Sequence, residues 1–245
     1  MAGRKSDRTA VVLAGGQGTR IRHLLPDLPK PLAPVAGRPF LEWVVRYLRR
    51  QGVTRIVFST GHRAAKIEAL AAGLALEGLL IDCVEEPKPL GTAGGFLHAL
   101  KAVPDSTREV LVCNGDSLVL ADLAPLFASL DPPHIDAALL AVTVDDASRY
   151  GTVEAGDGDL LRGFAEKRPG AGHINGGYYL FRRSVIGRFP AGAPLSFEYD
   201  VFPALISAGA RVKVVPCDAA FLDIGTESSL AQATEFIQNN MRWFE

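Results

Sequence analysis

The segment Leu13-Ala-Gly-Gly-Gln-Gly-Thr-Arg20 has a composition suited to binding phosphate groups. It directly follows Thr9-Ala-Val-Val-Leu13, an apolar run that is typical of a buried strand. In open α/β sheets, nucleotides bind where such a strand ends. The glycines let the backbone approach a phosphate chain closely and direct N–H groups towards it. Because the residue order of a Walker A loop is absent, the segment predicts another kind of nucleotide-binding loop.

Two cations follow and could neutralise a triphosphate. Arg20 ends the loop, and Lys30 lies in Pro29-Lys30-Pro31, where two prolines stiffen the backbone around it. A guanidinium and an ammonium near a glycine-rich loop suit phosphate charge that must be stabilised during transfer. The alternative is a plain glycine-rich turn with two solvated cations. The preceding strand and the paired prolines favour the phosphate site.

Two aspartates each come at the end of an apolar run. Asp116 ends Val110-Leu-Val-Cys-Asn-Gly-Asp116, and Asp223 lies in Phe221-Leu-Asp223-Ile-Gly. Taken alone, an aspartate next to glycine is more often a turn former than a ligand. Together they are interpreted as a site for Mg²⁺, which is usually held by one or two carboxylates and by substrate phosphates.

Three further segments carry weaker signals. The segment from Glu86 to Gly95 contains Gly91 and Thr92 and leads into a predicted helix, where small residues leave room for a base. A helix capped near Thr92 is an equal alternative. The other two segments contain acids, an amide and a lysine, which suit sugar hydroxyls and a monophosphate. Their candidate residues are Glu166, Lys167, Asn175 and Gly177.

These residues need a scaffold, and the chain alternates short apolar runs with helix-like segments. Strands are predicted at residues 9–13, 55–59, 79–84, 109–113, 137–144, 151–154, 160–166, 178–181 and 211–215, and helices at residues 40–51, 64–72, from about 92, 196–208 and 227–240. This pattern predicts an α/β fold: a Rossmann-like, mixed but mainly parallel sheet between helices, with a small strand-rich lobe. No repeat or linker divides the chain, so one domain is expected, with lobes at residues 1–136 and 137–245.

Composition and charge exclude several classes of protein. The 245 residues are 48% hydrophobic and 22% charged, which is typical of a folded globular chain. The 26 basic and 27 acidic residues provide no surplus for holding a nucleic acid. Neither a signal peptide nor a run long enough to cross a membrane is recognised, and three scattered cysteines predict no disulfide framework. A cytoplasmic protein is expected, and self-association is left open.

With its motifs in this order, the chain resembles the sugar-phosphate nucleotidylyltransferases, also called NDP-sugar pyrophosphorylases, from Val11 to about Phe236. Ala14 to Arg20 with Pro29-Lys30-Pro31 resembles the signature loop of that family. Leu24 to Pro34, Gly37 to Leu41 and Phe221 to Gly225 are most similar to D-glycero-D-manno-heptose 1-phosphate guanylyltransferases. Two departures are Arg168, where many members continue Glu-Lys-Pro, and Ala93, a variant shared with mannose-1-phosphate enzymes.

The resemblance implies that a sugar 1-phosphate attacks a nucleoside triphosphate, giving a nucleotide-sugar and pyrophosphate. It implies catalytic roles for Arg20, Lys30 and Asp116, and Mg²⁺ ligands at Asp116 and Asp223. The residues implied for nucleotide binding are Leu13, Ala14, Gly15, Gly16, Gly18, Thr19, Gly91, Thr92 and Gly115. Those implied for the strand-rich, sugar-binding lobe are Glu166, Lys167, Asn175 and Gly177. Glu198 and Asp200 are added as candidates for sugar hydroxyls, with a capped helix start as the favoured alternative.

Other substrates and one other class of protein stay open. GTP and heptose 1-phosphate are favoured, beside mannose 1-phosphate and uridylyl, thymidylyl or cytidylyl transfer to other sugar phosphates. Phosphocholine is retained because Tyr178, Tyr179 and Phe197 could form an aromatic cage for a quaternary ammonium. A nucleotide-sugar sensor without activity is disfavoured because Arg20, Lys30, Asp116 and Asp223 are all present. A molybdenum-cofactor guanylyltransferase is disfavoured because its lysine normally follows the arginine more closely than Lys30 follows Arg20.

Overall fold

A nine-stranded mixed sheet forms the centre of the fold in the computed structural model, which describes residues 8–148, 150–165 and 169–245. In chain order, the strands β1 to β13 of the described residues are Arg8–Leu13, Pro34–Val35, Arg38–Pro39, Val53–Thr60, Leu80–Glu85, Glu109–Asn114, Ser117–Leu120, Ala137–Val144, Thr152–Ala155, Leu161–Ala165, Gly172–Arg182, Val212–Cys217 and Ala220–Asp223. The helices α1 to α7 are Phe40–Arg50, Ala64–Gly73, Gly91–Ala99, Ala124–Ala128, Arg183–Ile186, Phe202–Ser207 and Glu227–Asn239. Short 3-10 helices and one π-helix join these elements.

The sheet has a parallel half and a mixed half. Strands β5, β4, β1 and β6 lie side by side in that order, all parallel. Beyond β6, the long strand β11 runs antiparallel to β6, β8 and β9, while β12 pairs with β8 in parallel. Helices cover the faces of the sheet, and the α/β fold expected from the alternation of strands and helices is confirmed.

Two apolar layers enclose the sheet because side chains alternate along each strand. In β1, Val12 packs into the layer that contains α1, whereas Val11 packs into the layer that contains α3 and α6. A strand covered on both faces needs apolar residues at successive positions, which explains the unbroken run in β1.

The three cysteines are free, with Cys113 buried and Cys83 and Cys217 half-buried. No described helix combines the length and the apolar character that a bilayer-spanning segment requires.

Two predicted elements differ from the structure. Residues 178–181 were expected in a short hairpin strand but belong to the eleven-residue β11, next to β6. Gly177 lies within β11 at φ +72°, where its pairing with β8 shifts register, and this interruption hides the strand in the sequence. The helix expected at 196–208 is a π-helix, Phe197–Val201, followed by α6. The Val201 N–H donates to the Ser196 carbonyl at 3.0 Å, a five-residue spacing, and Pro203 then lies in the first turn of α6, where a missing N–H costs no bond within the helix.

Candidate active site

Several loops meet at one edge of the sheet because the carboxyl ends of its parallel strands lie together. The register pairs Leu13 with Ser59 and with Asn114, so the chain leaves β1, β4 and β6 at the same level. There the loops enclose a cavity of about 450 Å³. Of the predicted site residues, Leu13, Ala14, Gly15, Gly16, Gly18, Thr19, Arg20, Lys30, Gly91, Thr92 and Asp116 line it. Gln17, Glu86, Asn114 and Gly225 also line it and were not selected from the sequence.

Lys30 bridges the two aspartates, and these three residues are called the lysine–aspartate cluster. Its Nζ lies 2.7 Å from Asp116 Oδ2 and 3.1 Å from Asp223 Oδ1. Only 8% of the lysine is exposed, so this ammonium is shielded from water on most sides. The two carboxylates therefore converge on one point that carries a positive charge.

A two-stranded sheet brings the aspartates together. Strands β7 and β13 pair antiparallel, with Asp223 opposite Ser117, and the Ile224 N–H donates to the Asp116 carbonyl at 3.1 Å. The chain then enters α7, where the Ser229 N–H donates to Thr226 Oγ1 at 3.2 Å and caps the first turn. This pairing was not predicted. The short apolar runs Leu118-Val-Leu120 and Ala220-Phe-Leu222 are the signal that could have indicated it.

The glycine-rich loop closes directly over Lys30. Gly18 has φ +56°, and a Cβ at this position would lie 2.8 Å from Lys30 Cβ. Glycine is therefore required both for the backbone conformation and for the close approach. The next residues form the 3-10 helix Thr19–Leu24, which carries Arg20 at the cavity wall. No hydrogen bond or ion pair ties Arg20 to the part of the chain that the structure describes.

Glu86 follows β5 and places a carboxylate at the opposite wall of the cavity. Its Oε1 accepts a hydrogen bond from Ser59 Oγ at 3.0 Å, and its Oε2 accepts one from the Leu90 N–H at 3.0 Å. A Cβ on Gly15 or Gly95 would lie 2.6 Å from Oε1, so glycines provide the space for this side chain. An ionised carboxylate accepts about four hydrogen bonds, which leaves about two for a ligand.

The helix start at Gly91 and Thr92 is joined to the segment before the π-helix. The Ala93 N–H donates to the Leu195 carbonyl at 2.9 Å, and the Phe197 N–H donates to Thr92 Oγ1 at 3.2 Å. Gly91 has φ +76°, and a Cβ there would collide with the Leu195 carbonyl. The turn beside the cavity and the residues that lead to Glu198 are therefore one connected unit.

A hydrogen-bonded group next to the cavity contains two of the predicted sugar contacts. Asn175, Tyr179, Ser196 and Glu198 form this group, which is called the amide–carboxylate network. A Cβ on the neighbouring Gly177 would lie 2.5 Å from Nδ2 of Asn114, a cavity residue, so the network adjoins the cavity.

Four predicted residues lie elsewhere or cannot be described. Gly115 lies behind the cavity, where its N–H donates to the Leu13 carbonyl at 2.9 Å and supports the end of β1. Asp223 does not line the cavity wall and reaches the site through Lys30. Glu166 and Lys167 lie outside the described residues.

The aromatic residues that kept phosphocholine open are core residues. Tyr178, Tyr179 and Phe197 are each at most 1% exposed. Tyr178 belongs to one apolar layer, whereas Tyr179 and Phe197 belong to the other. They therefore do not form a cage around a quaternary ammonium.

A larger cavity of about 920 Å³ lies at the amino ends of the parallel strands, and two of the arginines that line it already have partners. Arg8 donates to the Gln51 carbonyl at 2.7 Å and stacks 3.9 Å above the Phe127 ring. Arg55 pairs with Asp82 at 2.5 Å. Volume alone does not identify the active site, because the glycine-rich loop and the aspartates lie at the other end of the sheet.

Known proteins are similar to this chain in sequence and in fold. Residues 9–240 match the nucleotidyl transferase family. The mannose-1-phosphate guanylyltransferase of Mycobacterium tuberculosis is 36% identical over 92% of the chain, which spans 63% of that protein. The D-glycero-alpha-D-manno-heptose 1-phosphate guanylyltransferase of Aneurinibacillus thermoaerophilus is 32% identical over 94% of the chain and 98% of its own length. HddC from Yersinia pseudotuberculosis, solved in complex with GMP-PN, superposes with a TM-score of 0.82 at 31% identity, covering 94% of this chain and 99% of HddC.

Proposed function

The chain belongs to the nucleotidyl transferase family, and we propose that it joins a nucleoside triphosphate to a sugar 1-phosphate, giving a nucleotide-sugar and pyrophosphate. The observation that carries this proposal is the lysine–aspartate cluster at a cavity that the glycine-rich loop and Arg20 also line. Transfer between two anions requires cations that offset their charge, and this site combines two cationic side chains with two carboxylates that can hold a divalent ion.

The reaction needs positioning more than covalent participation by the protein. An oxygen of the sugar phosphate attacks the α-phosphorus in line. A new P–O bond forms while the bond to the β-phosphate oxygen breaks, and that oxygen leaves with pyrophosphate. Arg20 binds the triphosphate and the departing pyrophosphate, and Lys30 binds the α-phosphate and the approaching sugar phosphate. The amides of the loop at Gly15 and Gly16 direct N–H groups at the nucleotide.

The donor set of the cluster fits Mg²⁺. Lys30 binds Asp116 Oδ2 and Asp223 Oδ1, which leaves the second oxygen of each carboxylate for an ion, and Mg²⁺ is commonly held by two carboxylates together with substrate phosphates. The described residues contain no cluster of three or more acidic, histidine or cysteine side chains, so phosphate oxygens and water would complete the coordination. When bound, the ion neutralises phosphate charge and reduces repulsion between the two substrates.

Glu86 supports guanine as the base. Its carboxylate lines the cavity beside Gly91 and Thr92 and retains acceptor capacity after binding Ser59 and Leu90. Guanine presents two neighbouring donors on its Watson–Crick edge, N1–H and the N2 amino group, which a carboxylate can accept together. Uracil, thymine and cytosine do not present this pair of donors. We therefore propose GTP as the nucleotide.

A manno-configured sugar is proposed for the second substrate. The similar guanylyltransferases from M. tuberculosis and A. thermoaerophilus are named for mannose and manno-heptose 1-phosphates. Asn175 and Glu198 supply polar groups for the sugar hydroxyls, with Glu166, Lys167 and Gly177 as further contacts. Heptose 1-phosphate is favoured by the sequence motifs at residues 24–34, 37–41 and 221–225.

The organisation of the chain follows from these assignments. Residues 1–136 mainly bind the nucleotide and residues 137–245 mainly bind the sugar phosphate, within one domain. Because nucleoside triphosphates are substrates, the cytoplasm is the proposed location.

A pyrophosphate-release screen tests this function. The purified protein with Mg²⁺ is combined with each common triphosphate and with heptose, mannose, glucose and N-acetylmuramate 1-phosphates and phosphocholine. We expect the highest kcat/KM for GTP with heptose or mannose 1-phosphate, and a clear preference for heptose would assign the branch. Release of pyrophosphate with none of these pairs would support a sensor without activity instead.

A further inference from the structure

The Tyr179 side chain lies under the amide–carboxylate network and contacts both residues that face the sugar. The residue is 1% exposed, and its ring packs against Phe197 and Phe202 with centroid distances of 4.9 and 5.2 Å. Its hydroxyl donates to Glu198 Oε1 at 2.8 Å and accepts a hydrogen bond from Asn175 Nδ2 at 2.7 Å. A residue buried this deeply does not touch substrate, yet it contacts two residues that would.

These bonds fix the orientation of the Asn175 amide. Its Nδ2 donates one hydrogen to Tyr179 and the other to Glu198 Oε1 at 3.0 Å. Its Oδ1 accepts from the Gly177 N–H at 2.9 Å. Flipping the amide, which exchanges Nδ2 and Oδ1, would break all three hydrogen bonds. Both of its donors are used, so the capacity left for a ligand is a lone pair on Oδ1.

Glu198 is held in the same way. Its Oε1 accepts from Asn175 and Tyr179, and its Oε2 accepts from Ser196 Oγ at 2.9 Å. Burial raises the pKa of Tyr179 well above its usual value, and the neighbouring Glu198 charge raises it further. The tyrosine therefore keeps its proton and remains a donor to Glu198. What the network offers a ligand is acceptor oxygen, from both the amide and the carboxylate.

We propose that Tyr179 is a positioning residue for the sugar 1-phosphate, which holds Asn175 and Glu198 so that they accept hydrogen bonds from the hydroxyl groups of a polyol. This inference rests on the proposed function. It predicts an effect on the sugar substrate alone, because the Tyr179 hydroxyl has no contact with the lysine–aspartate cluster or with Glu86.

Tyr179→Phe removes this hydroxyl and keeps the ring. Tyr178→Phe is the matched control, because Tyr178 is the next residue of β11 and is equally buried, but in the other apolar layer. We expect KM for the sugar 1-phosphate to rise about 10-fold in Tyr179→Phe, the scale of a lost hydrogen bond to a charged group. The kcat and the KM for GTP should stay at the wild-type values, and Tyr178→Phe should match the wild type in all three.

Monodeoxy analogues of the sugar phosphate sharpen the test. The penalty of Tyr179→Phe should disappear for the analogue that lacks the hydroxyl accepted by the network. A penalty of the same size with every analogue would contradict acceptance of a specific hydroxyl. If Tyr179→Phe does not fold, as judged by circular dichroism and thermal unfolding, Ser196→Ala removes another donor that holds Glu198, on a partly exposed residue, and should raise the same KM, whereas an unchanged KM would contradict positioning of Glu198 by its donors.

The outcomes separate the two proposals. The positioning role alone is overturned if the wild-type protein is active and Tyr179→Phe leaves the KM for the sugar 1-phosphate unchanged. The same conclusion follows if the variant raises this KM and the KM for GTP by the same factor. A wild-type protein that releases no pyrophosphate with any substrate pair would overturn the proposed function, and the positioning role with it.

Discussion

The lysine–aspartate cluster and the amide–carboxylate network adjoin the same cavity but are built differently. The cluster puts an ammonium in contact with two carboxylates, from residues separated by 86 and 193 positions in the chain. The network surrounds the Glu198 carboxylate with the neutral donors of Asn175, Tyr179 and Ser196. An ion pair with a buried ammonium responds strongly to a change of charge, whereas hydrogen bonds from neutral donors mainly fix the direction of the carboxylate.

This difference indicates a division of labour. Fixed charge is suited to the phosphate groups, whose charge is redistributed during transfer. Oriented neutral donors and acceptors are suited to hydroxyl groups, which do not change during the reaction. Substitutions in the lysine–aspartate cluster should therefore lower kcat, whereas those in the amide–carboxylate network should raise only the KM for the sugar 1-phosphate.

The largest effect is expected from Asp116→Asn in the cluster. Turnover with Mg²⁺ should fall about 100-fold or more, because one of the two carboxylates proposed to hold the ion is removed, and with the ion goes its charge stabilisation of the reacting phosphates. The protein should remain folded, since Lys30 keeps its contact with Asp223. Pyrophosphate release and thermal unfolding measure the two properties. Asp131→Asn changes an exposed aspartate near the amino ends of the strands and is the control. A purified Asp116→Asn protein with near-wild-type turnover would refute the metal role.

Lys30→Ala should have the next largest effect. We expect turnover to fall at least ~10-fold, the scale for a cation directed at transferring charge. Lys30→Met, which keeps the aliphatic stem, should lose a similar factor and separates the lost charge from a cavity left in the protein. Lys101→Ala removes an exposed lysine elsewhere and should leave the rate unchanged. If both Lys30 variants keep the wild-type rate, Lys30 does not act on the phosphates.

Glu86→Gln should have the smallest effect of the three, and it concerns base selection. The amide replaces one of the two acceptor oxygens of the carboxylate with an NH2 group, which only donates. We expect kcat/KM for GTP to fall roughly 5-fold while that for UTP rises, in line with the loss of one well-placed hydrogen bond. Glu85→Gln changes the neighbouring exposed carboxylate and serves as the control. The same GTP-to-UTP ratio in both variants would argue against base recognition by Glu86.

Much of the parallel half of the fold could be predicted from local sequence. The apolar run of β1, the helix after Pro39 and the glycine-rich loop are each encoded within a few adjacent residues. The rule that ligands bind at the carboxyl ends of parallel strands then directs attention to Arg20, Lys30 and Asp116. These residues do line one cavity.

The features that were missed depend on contacts between distant segments. The pairing of β7 with β13 joins residues more than 90 positions apart, and each strand has only four residues, so neither gives a strong local pattern. Glu86 stands among prolines at the end of β5 and is recognisable as a cavity residue only when Gly15 and Gly95 are seen packed against it. The place of β11 in the centre of the sheet was hidden by the glycines within the strand.

The sequence alone determined which side chains are available for phosphate chemistry and which strands and loops carry them, because apolar periodicity and glycine content act over a few residues. Only the tertiary structure decided that Lys30 lies between Asp116 and Asp223 and that Tyr179 sets the orientation of Asn175 and Glu198. The physical reason is that hydrogen bonds and direct ion pairs form only when donor and acceptor atoms come within about 3 Å. Residues far apart in the chain come within that distance only when the sheet pairing of the whole fold is complete.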